Sequence, residues 1–155
     1  MDHTLTRRSF LARSGAGAAL VTLLPFAAEA TSDDLAAAIK EVVGSAKLNP
    51  GKVTLDIAPL VENGNTVPMK VVVDSPMSEK DHVKAIHVFN ERNPQPYVLN
   101  AALGPRAGRA NVATHIKLRE SQKIVAIAEL SDGSFWTASA NVIVTIAACV
   151  EDLVQ

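Results

Sequence analysis

The sequence predicts an all-β domain, an immunoglobulin-like β-sandwich of about seven strands with a short N-terminal helix, a small barrel being the alternative closure. Three observations predict it. Apolar residues recur with a period of two from Lys52 almost to the last residue. Turn signals break this pattern at modest intervals. The alternating part holds about 100 residues, the size of one sandwich.

The elements follow in order. Ser32 or Asp33 can cap a helix whose Leu35, Ile39, Val42 and Val43 share one face, and Gly44 can end it. Such a helix is expected to pack at the domain's edge. Val53, Leu55 and Ile57 then alternate with Thr54 and Asp56 as a first strand. Asn63-Gly64 marks a turn before Val67, Met69, Val71 and Val73, which alternate with Lys70 and Asp74 as a second. A third strand runs from Val83 to Phe89, a fourth from Tyr97 to Ala102, and a fifth carries Val112, Thr114, Ile116 and Leu118. Lys123 to Leu130 is apolar on both faces, as a central strand of a two-layer structure would be. Asp132-Gly133 turns the chain into the longest strand, where Trp136, Ala138, Ala140, Val142, Val144 and Ile146 alternate with Thr137, Ser139, Asn141 and Thr145. Pro76, Pro94, Pro96 and Pro105 fall between strands, where a missing N–H is harmless.

Residues 1–30 read differently from the rest. Arg7, Arg8 and Arg13 precede an apolar stretch from Ala16 to Ala28 and a small-residue site, Ala28-Glu29-Ala30, which is the order of a signal peptide. Thr6-Arg7-Arg8-Ser9-Phe10-Leu11 fits the twin-arginine pattern of an export route that accepts folded cargo. The apolar run is interrupted by Thr22 and Pro25 and falls short of the roughly 20 residues of a bilayer span. A cleaved signal over 1–30, a single domain over 31–155, a periplasmic location and no stable membrane anchor are therefore expected.

Removing residues 1–30 takes three of 15 basic and two of 16 acidic side chains, leaving 12 against 14. That balance, with no Lys/Arg run and no aromatic run, argues against nucleic acid as a partner. His82, His87 and His115 form no metal-ligand spacing; on a strand the first two would point to opposite faces, and surface or satisfied histidines are the expectation. Met69, Met77 and His87 are soft or borderline ligands that could suit copper, but no Met-x-x-Met or His-x-His array supports them. There is no Cys-x-x-Cys-His for covalent haem, no Gly-x-Ser-x-Gly nucleophile elbow, and Gly64, Gly104, Gly108 and Gly133 are isolated turn glycines. Neither a catalytic site, a cofactor nor a metal is expected.

Cysteine use is more informative. Structural cysteines in an oxidising compartment come in pairs, and this chain has one, Cys149. Placed three residues beyond Ile146, its Cα would lie roughly 10 Å past the last strand, where a thiol is accessible. The residues alone leave open a small hydrophobe tucked under the sandwich edge, or an intermolecular disulfide.

Several segments resemble SoxY, the thiosulfate-oxidation carrier family. They are Glu62-Asn63-Gly64-Asn65-Thr66-Val67-Pro68, Asp74-Ser75-Pro76-Met77, Val83-Lys84-Ala85-Ile86-His87-Val88-Phe89 and Asn93-Pro94-x-Pro96, then Gly108-Arg109-Ala110, Ser131-Asp132-Gly133-Ser134-Phe135 and Val144-Thr145-Ile146. The likeness covers essentially all of 31–155, and the family also carries a twin-arginine signal. It implies a periplasmic immunoglobulin-like subunit that pairs with a SoxZ-like subunit and is not itself an enzyme. Its substrate would ride on Cys149: a c-type cytochrome couples thiosulfate to the thiol, a hydrolase releases sulfate, and a sulfane dehydrogenase can oxidise the sulfur that remains.

The chain departs from the family at its arm. The family pattern is Gly-Gly-Cys-Gly-Gly, whereas here Ala147-Ala148-Cys149-Val150-Glu151-Asp152-Leu153-Val154-Gln155 stands. Each Gly replaced by Ala or Val removes about 0.4–1 kcal/mol of chain entropy, so a stiffer and thicker arm is expected. The six residues after the thiol, if extended, add about 20 Å that a partner's channel must accommodate. Glu151 and Asp152 also disfavour a thiolate beside them. A SoxY-like binding or assembly subunit that no longer carries sulfur is the alternative function.

Overall fold

A computed structural model describes residues 32–146. The expected signal with Arg7 and Arg8, and the arm with Cys149, lie outside the described residues. Among those described, no helix is long and apolar enough to cross a membrane.

The chain runs α1 (Ser32–Val43), β1 (Leu48–Pro50), β2 (Val53–Ile57), β3 (Leu60–Asn63), β4 (Val67–Val73), β5 (Val83–Asn90), β6 (Tyr97–Ala102), a 3-10 turn (Pro105–Ala107), β7 (Ala110–Ile116), β8 (Gln122–Leu130) and β9 (Phe135–Ile146). The strands form two sheets packed as a sandwich, as expected. The larger has the order β1-β9-β8-β5-β6, with β3 also paired to β9, and the smaller has the order β2-β4-β7.

Two short strands are additions to the expected seven. β1 and β3 share one edge of β9, both parallel to it: Leu48–Pro50 lies beside Phe135–Thr137, and Leu60–Asn63 beside Ile143–Ile146. Between them the chain crosses to the small sheet as β2. Gly51 makes the first crossing at φ +127°, a value that L side chains rarely adopt. The same edge of the longest strand is thus covered at both of its ends, Phe135–Thr137 and Ile143–Ile146.

The core lies between the sheets. β4 alternates strictly, with Val67, Met69, Val71 and Val73 buried and Pro68 and Lys70 exposed. Its inward row meets Ile86 and Val88 of β5, Ile124, Ala126 and Ala128 of β8, and Val142 of β9. Pro68, although in the middle strand, stands past the last β2 pair at Ile57–Met69, where a ladder hydrogen bond is not required.

β8 is buried on both faces, as its sequence predicts, and the structure supplies the reason. Leu35 and Val43 of α1 close over Phe89, Val125 and Ile127 on the outer face of the large sheet. The helix thus caps the centre of a sheet face and does not sit at the domain's edge. Its end is as read: Gly44, at φ +63°, donates its N–H to the Lys40 carbonyl at 2.7 Å.

Candidate functional site

The expected attachment residue, Cys149, is reached through β9, so the end of β9 is the ground on which the arm stands. That end is tied down on both edges, by the segment 59–64 and by Ser121. The Ile143 N–H donates to the Pro59 carbonyl at 2.9 Å, and the Gly64 N–H to the Ile146 carbonyl at 2.9 Å. The Val144 N–H donates to Ser121 Oγ at 2.9 Å, and Thr145 Oγ1 to the Glu62 carbonyl at 3.1 Å. Gly64 is itself held, its carbonyl accepting from the Leu118 N–H at 2.8 Å, while Asn63 Oδ1 closes the turn on the Asn65 N–H. The chain is therefore fixed up to Ile146, and three residues of any conformation place the Cys149 Cα no more than about 11 Å from it.

The same end is apolar on its surface. Among the described residues, the exposed large hydrophobics are Leu60 at 57 %, Tyr97 at 38 %, Ile143 at 57 % and Ile146 at 53 %. Leu60 and Ile143 are direct partners in the β3–β9 register, and Ile146 ends the strand three residues on. Single exposed apolar residues need no explanation, but Leu60 and Ile143, paired across β3 and β9, share one outward face beside the strand end, while Ile146 points to the other face. The sequence held a signal for it: Ile143 occupies the register otherwise filled by Thr137, Ser139, Asn141 and Thr145.

The histidines are not brought together. His82 precedes β5 instead of lying on it, and its Nδ1 sits 3.1 Å from the Ser78 carbonyl. His115 is exposed on β7. His87 is buried on β5, turned away from the inter-sheet core, with Nδ1 2.6 Å from the Tyr97 hydroxyl. The expectation of a surface or satisfied histidine needs correction there, because His87 Nε2 is buried without a partner among the described residues. Burial pushes the pKa of His87 below its ordinary value, and the Glu129 carboxylate partly offsets this.

Met69 and Met77 face the core between the sheets, and Met77 Sδ accepts the Val83 N–H at 3.4 Å. They lie on the opposite side of β5 from His87, so the three possible copper ligands do not converge. Among the described residues no group of three His, Cys, Asp or Glu is placed to hold a metal ion.

A family model for the sulfur oxidation protein SoxY matches residues 39–149, which is most of the chain and ends on its single cysteine. The chain belongs to the SoxY family. Among solved structures, the sulfur carrier protein SoxY from Chlorobium limicola f thiosulfatophilum superposes with a TM-score of 0.63 at 23 % identity, covering 75 % of this chain and 100 % of that one. The fold is shared more widely. A superoxide reductase (neelaredoxin) from Ignicoccus hospitalis gives a TM-score of 0.55 at 17 % identity over 61 % of this chain and 80 % of that one. The superoxide reductase from Nanoarchaeum equitans gives 0.53 at 11 % identity over 62 % of this chain and 100 % of that one. These likenesses concern architecture alone. A search of curated proteins finds no match.

The described residues supply the frame, and the expected attachment residue Cys149 lies outside them. Residues 1–30, with Arg7 and Arg8, lie before the matched stretch, and the acidic tail from Val150 lies beyond it.

Proposed function

We propose that this SoxY-family chain is an exported, periplasmic carrier that holds thiosulfate-derived sulfur covalently on Cys149 and catalyses nothing itself. The observation that carries the reading is the family match running up to Cys149, the chain's one cysteine, three residues past a firmly held strand end. A lone thiol at that place has no partner for a structural disulfide within the chain.

The chemistry balances with partners of the classes named above. Cys149 thiolate and the terminal sulfur of thiosulfate join by an S–S bond, and the two electrons released pass to a c-type cytochrome. Water then attacks the sulfonate sulfur in a hydrolase; sulfate leaves, two protons are released, and a persulfide stays on Cys149. A sulfane dehydrogenase can oxidise that remaining sulfur. Tethering keeps the intermediate at high effective concentration through successive enzymes, which is what a carrier contributes. The exposed apolar pair Leu60 and Ile143 suits a SoxZ-like subunit beside the arm.

In a reconstituted system of this chain, a SoxZ-like subunit, the cytochrome and the hydrolase, Cys149→Ala is expected to abolish thiosulfate-dependent cytochrome reduction. Undiminished reduction in that variant would favour the second reading, a SoxY-like assembly subunit that no longer carries sulfur. The feature that favours this second reading is the arm itself, where Ala147, Ala148 and Val150 stand in place of glycine and Glu151 and Asp152 follow. Export is tested separately: Arg7→Lys with Arg8→Lys should leave the uncleaved chain in the cytoplasm, and normal export of that variant would refute a twin-arginine signal.

A further inference from the structure

The two outer faces of the sandwich differ. α1 covers the large sheet, whereas no described element covers the outer face of β2-β4-β7. On that bare face lies an open groove of about 800 Å³ whose lining includes Gly51, Lys52, Lys70, Asp74, Arg109 and Trp136. At Lys70 it meets a second hollow of about 520 Å³ that reaches Asp56, Pro68 and His115.

We propose that this groove is a docking surface for an extended acidic segment of a partner protein.

Charge is the first ground. Lys52, Lys70 and Arg109 stand against Asp74 in the groove and Asp56 across the strand from Lys70, three cations to two acids, although the whole chain has a net charge of −1. The patch is opposite in sign to the rest of the molecule, which is how a surface selects and steers one partner.

Spacing is the second. Lys70 pairs with Ala113, and Arg109 stands one residue beyond the Val73–Ala110 pair. The two cations are thus four residues apart along the strands, about 13 Å. One tetrahedral anion cannot bridge that distance, and solvated lysines hold such an ion weakly. An extended chain with acids at positions i and i+4 presents them on one side at the same spacing.

The third is a rigid aromatic at the groove's end. Trp136 Nε1 donates to Ser134 Oγ at 3.0 Å, and the Ser134 N–H donates to Asp132 Oδ1 at 2.9 Å. Lys52 Nζ lies 5.0 Å from the ring centroid, and a Cβ on Gly51 would come within 3.5 Å of the ring. An indole fixed in this way offers apolar area without losing side-chain freedom on binding, the property of an interface anchor.

The chain's own Glu151 and Asp152 do not reach the indole end of the groove. Trp136 and Ile146 are ten residues apart on β9, about 33 Å, and Glu151 and Asp152 follow Ile146 by at most about 20 Å of chain. A partner anchored on the indole would sit at the opposite end of β9 from Ile146.

Trp136 is the single tryptophan, so its fluorescence reports the groove directly. The test titrates the full chain with hexaglutamate peptide and, at matched ionic strength, with sodium sulfate and sodium thiosulfate. The expected result is a saturable Trp136 change with the peptide alone. It should weaken about tenfold or more in Lys70→Glu and in Arg109→Glu, with unaltered melting temperatures, and stay as in wild type for Lys40→Glu on α1. Rising salt should weaken the wild-type response, a readout that needs no variant to fold. No saturable change, an equal response to either small anion, or an equal loss in Lys40→Glu would each overturn the proposal.

Discussion

The two ends of β9 are one strand put to two uses. At Phe135–Thr137 it is flanked by β1, and Trp136 is pinned by Ser134 and by Gly51. At Ile143–Ile146 the backbone is held as firmly, by Pro59, Glu62, Gly64 and Ser121, but the side chains Ile143 and Ile146 stay more than half exposed. The difference teaches that fixing a backbone and burying a surface are separate operations. The proposed carrier role needs the first at the root of the arm and excludes the second there, because the proposed partners must reach it.

That comparison can be broken by substitution. The largest effect belongs to the sheet that supports both ends: Phe89→Ala, under α1 and fully buried, should cost about 3–5 kcal/mol in denaturant unfolding. A loss under 1 kcal/mol would mean that α1 does not cap the sheet. At the pinned end, Gly51→Ala forces a side chain into φ +127° against the indole. It should cost about 1–3 kcal/mol and change Trp136 fluorescence. Unchanged fluorescence would separate Gly51 from Trp136.

A pH effect comes next. His87 has its pKa lowered by burial from the ordinary 6.5, with Glu129 opposing. Below about pH 6.5 the unfolded chain therefore takes up a proton that the folded chain resists, so stability falls as pH drops through and below that value. His87→Gln should flatten this slope in melting curves from pH 7 to 5, and an unchanged slope would place the titration elsewhere. The smallest effect is at the presenting end: Ile143→Ala should move stability by no more than about 0.5 kcal/mol while weakening association with a SoxZ-like subunit. Equal association would remove Ile143 from that interface.

Legibility followed the range of the forces involved. Alternation is local, so β4, β6 and β8 were readable to within a residue, and β8's two-sided apolarity already required a cover on its outer face. β1 and β3 were not readable. They are three and four residues long and exist through pairing with a strand some 80 positions away. For the same reason the groove was invisible, since Lys52, Lys70, Arg109 and Trp136 come together only through sheet order. His87 gave no sign of its unpartnered nitrogen, which depends on the burial that tertiary packing imposes. Cys149 was legible as a lone thiol, but the proposal that it carries sulfur came from the family resemblance and not from its spacing.

The most direct measurement is the intact mass of the protein, wild type and Cys149→Ala, after incubation with a SoxZ-like subunit, thiosulfate and oxidised c-type cytochrome. The account predicts a reducible thiosulfonate adduct on the wild type that the hydrolase converts to a persulfide, and no adduct on the variant. A wild-type mass that stays unmodified while the cytochrome is reduced would contradict it.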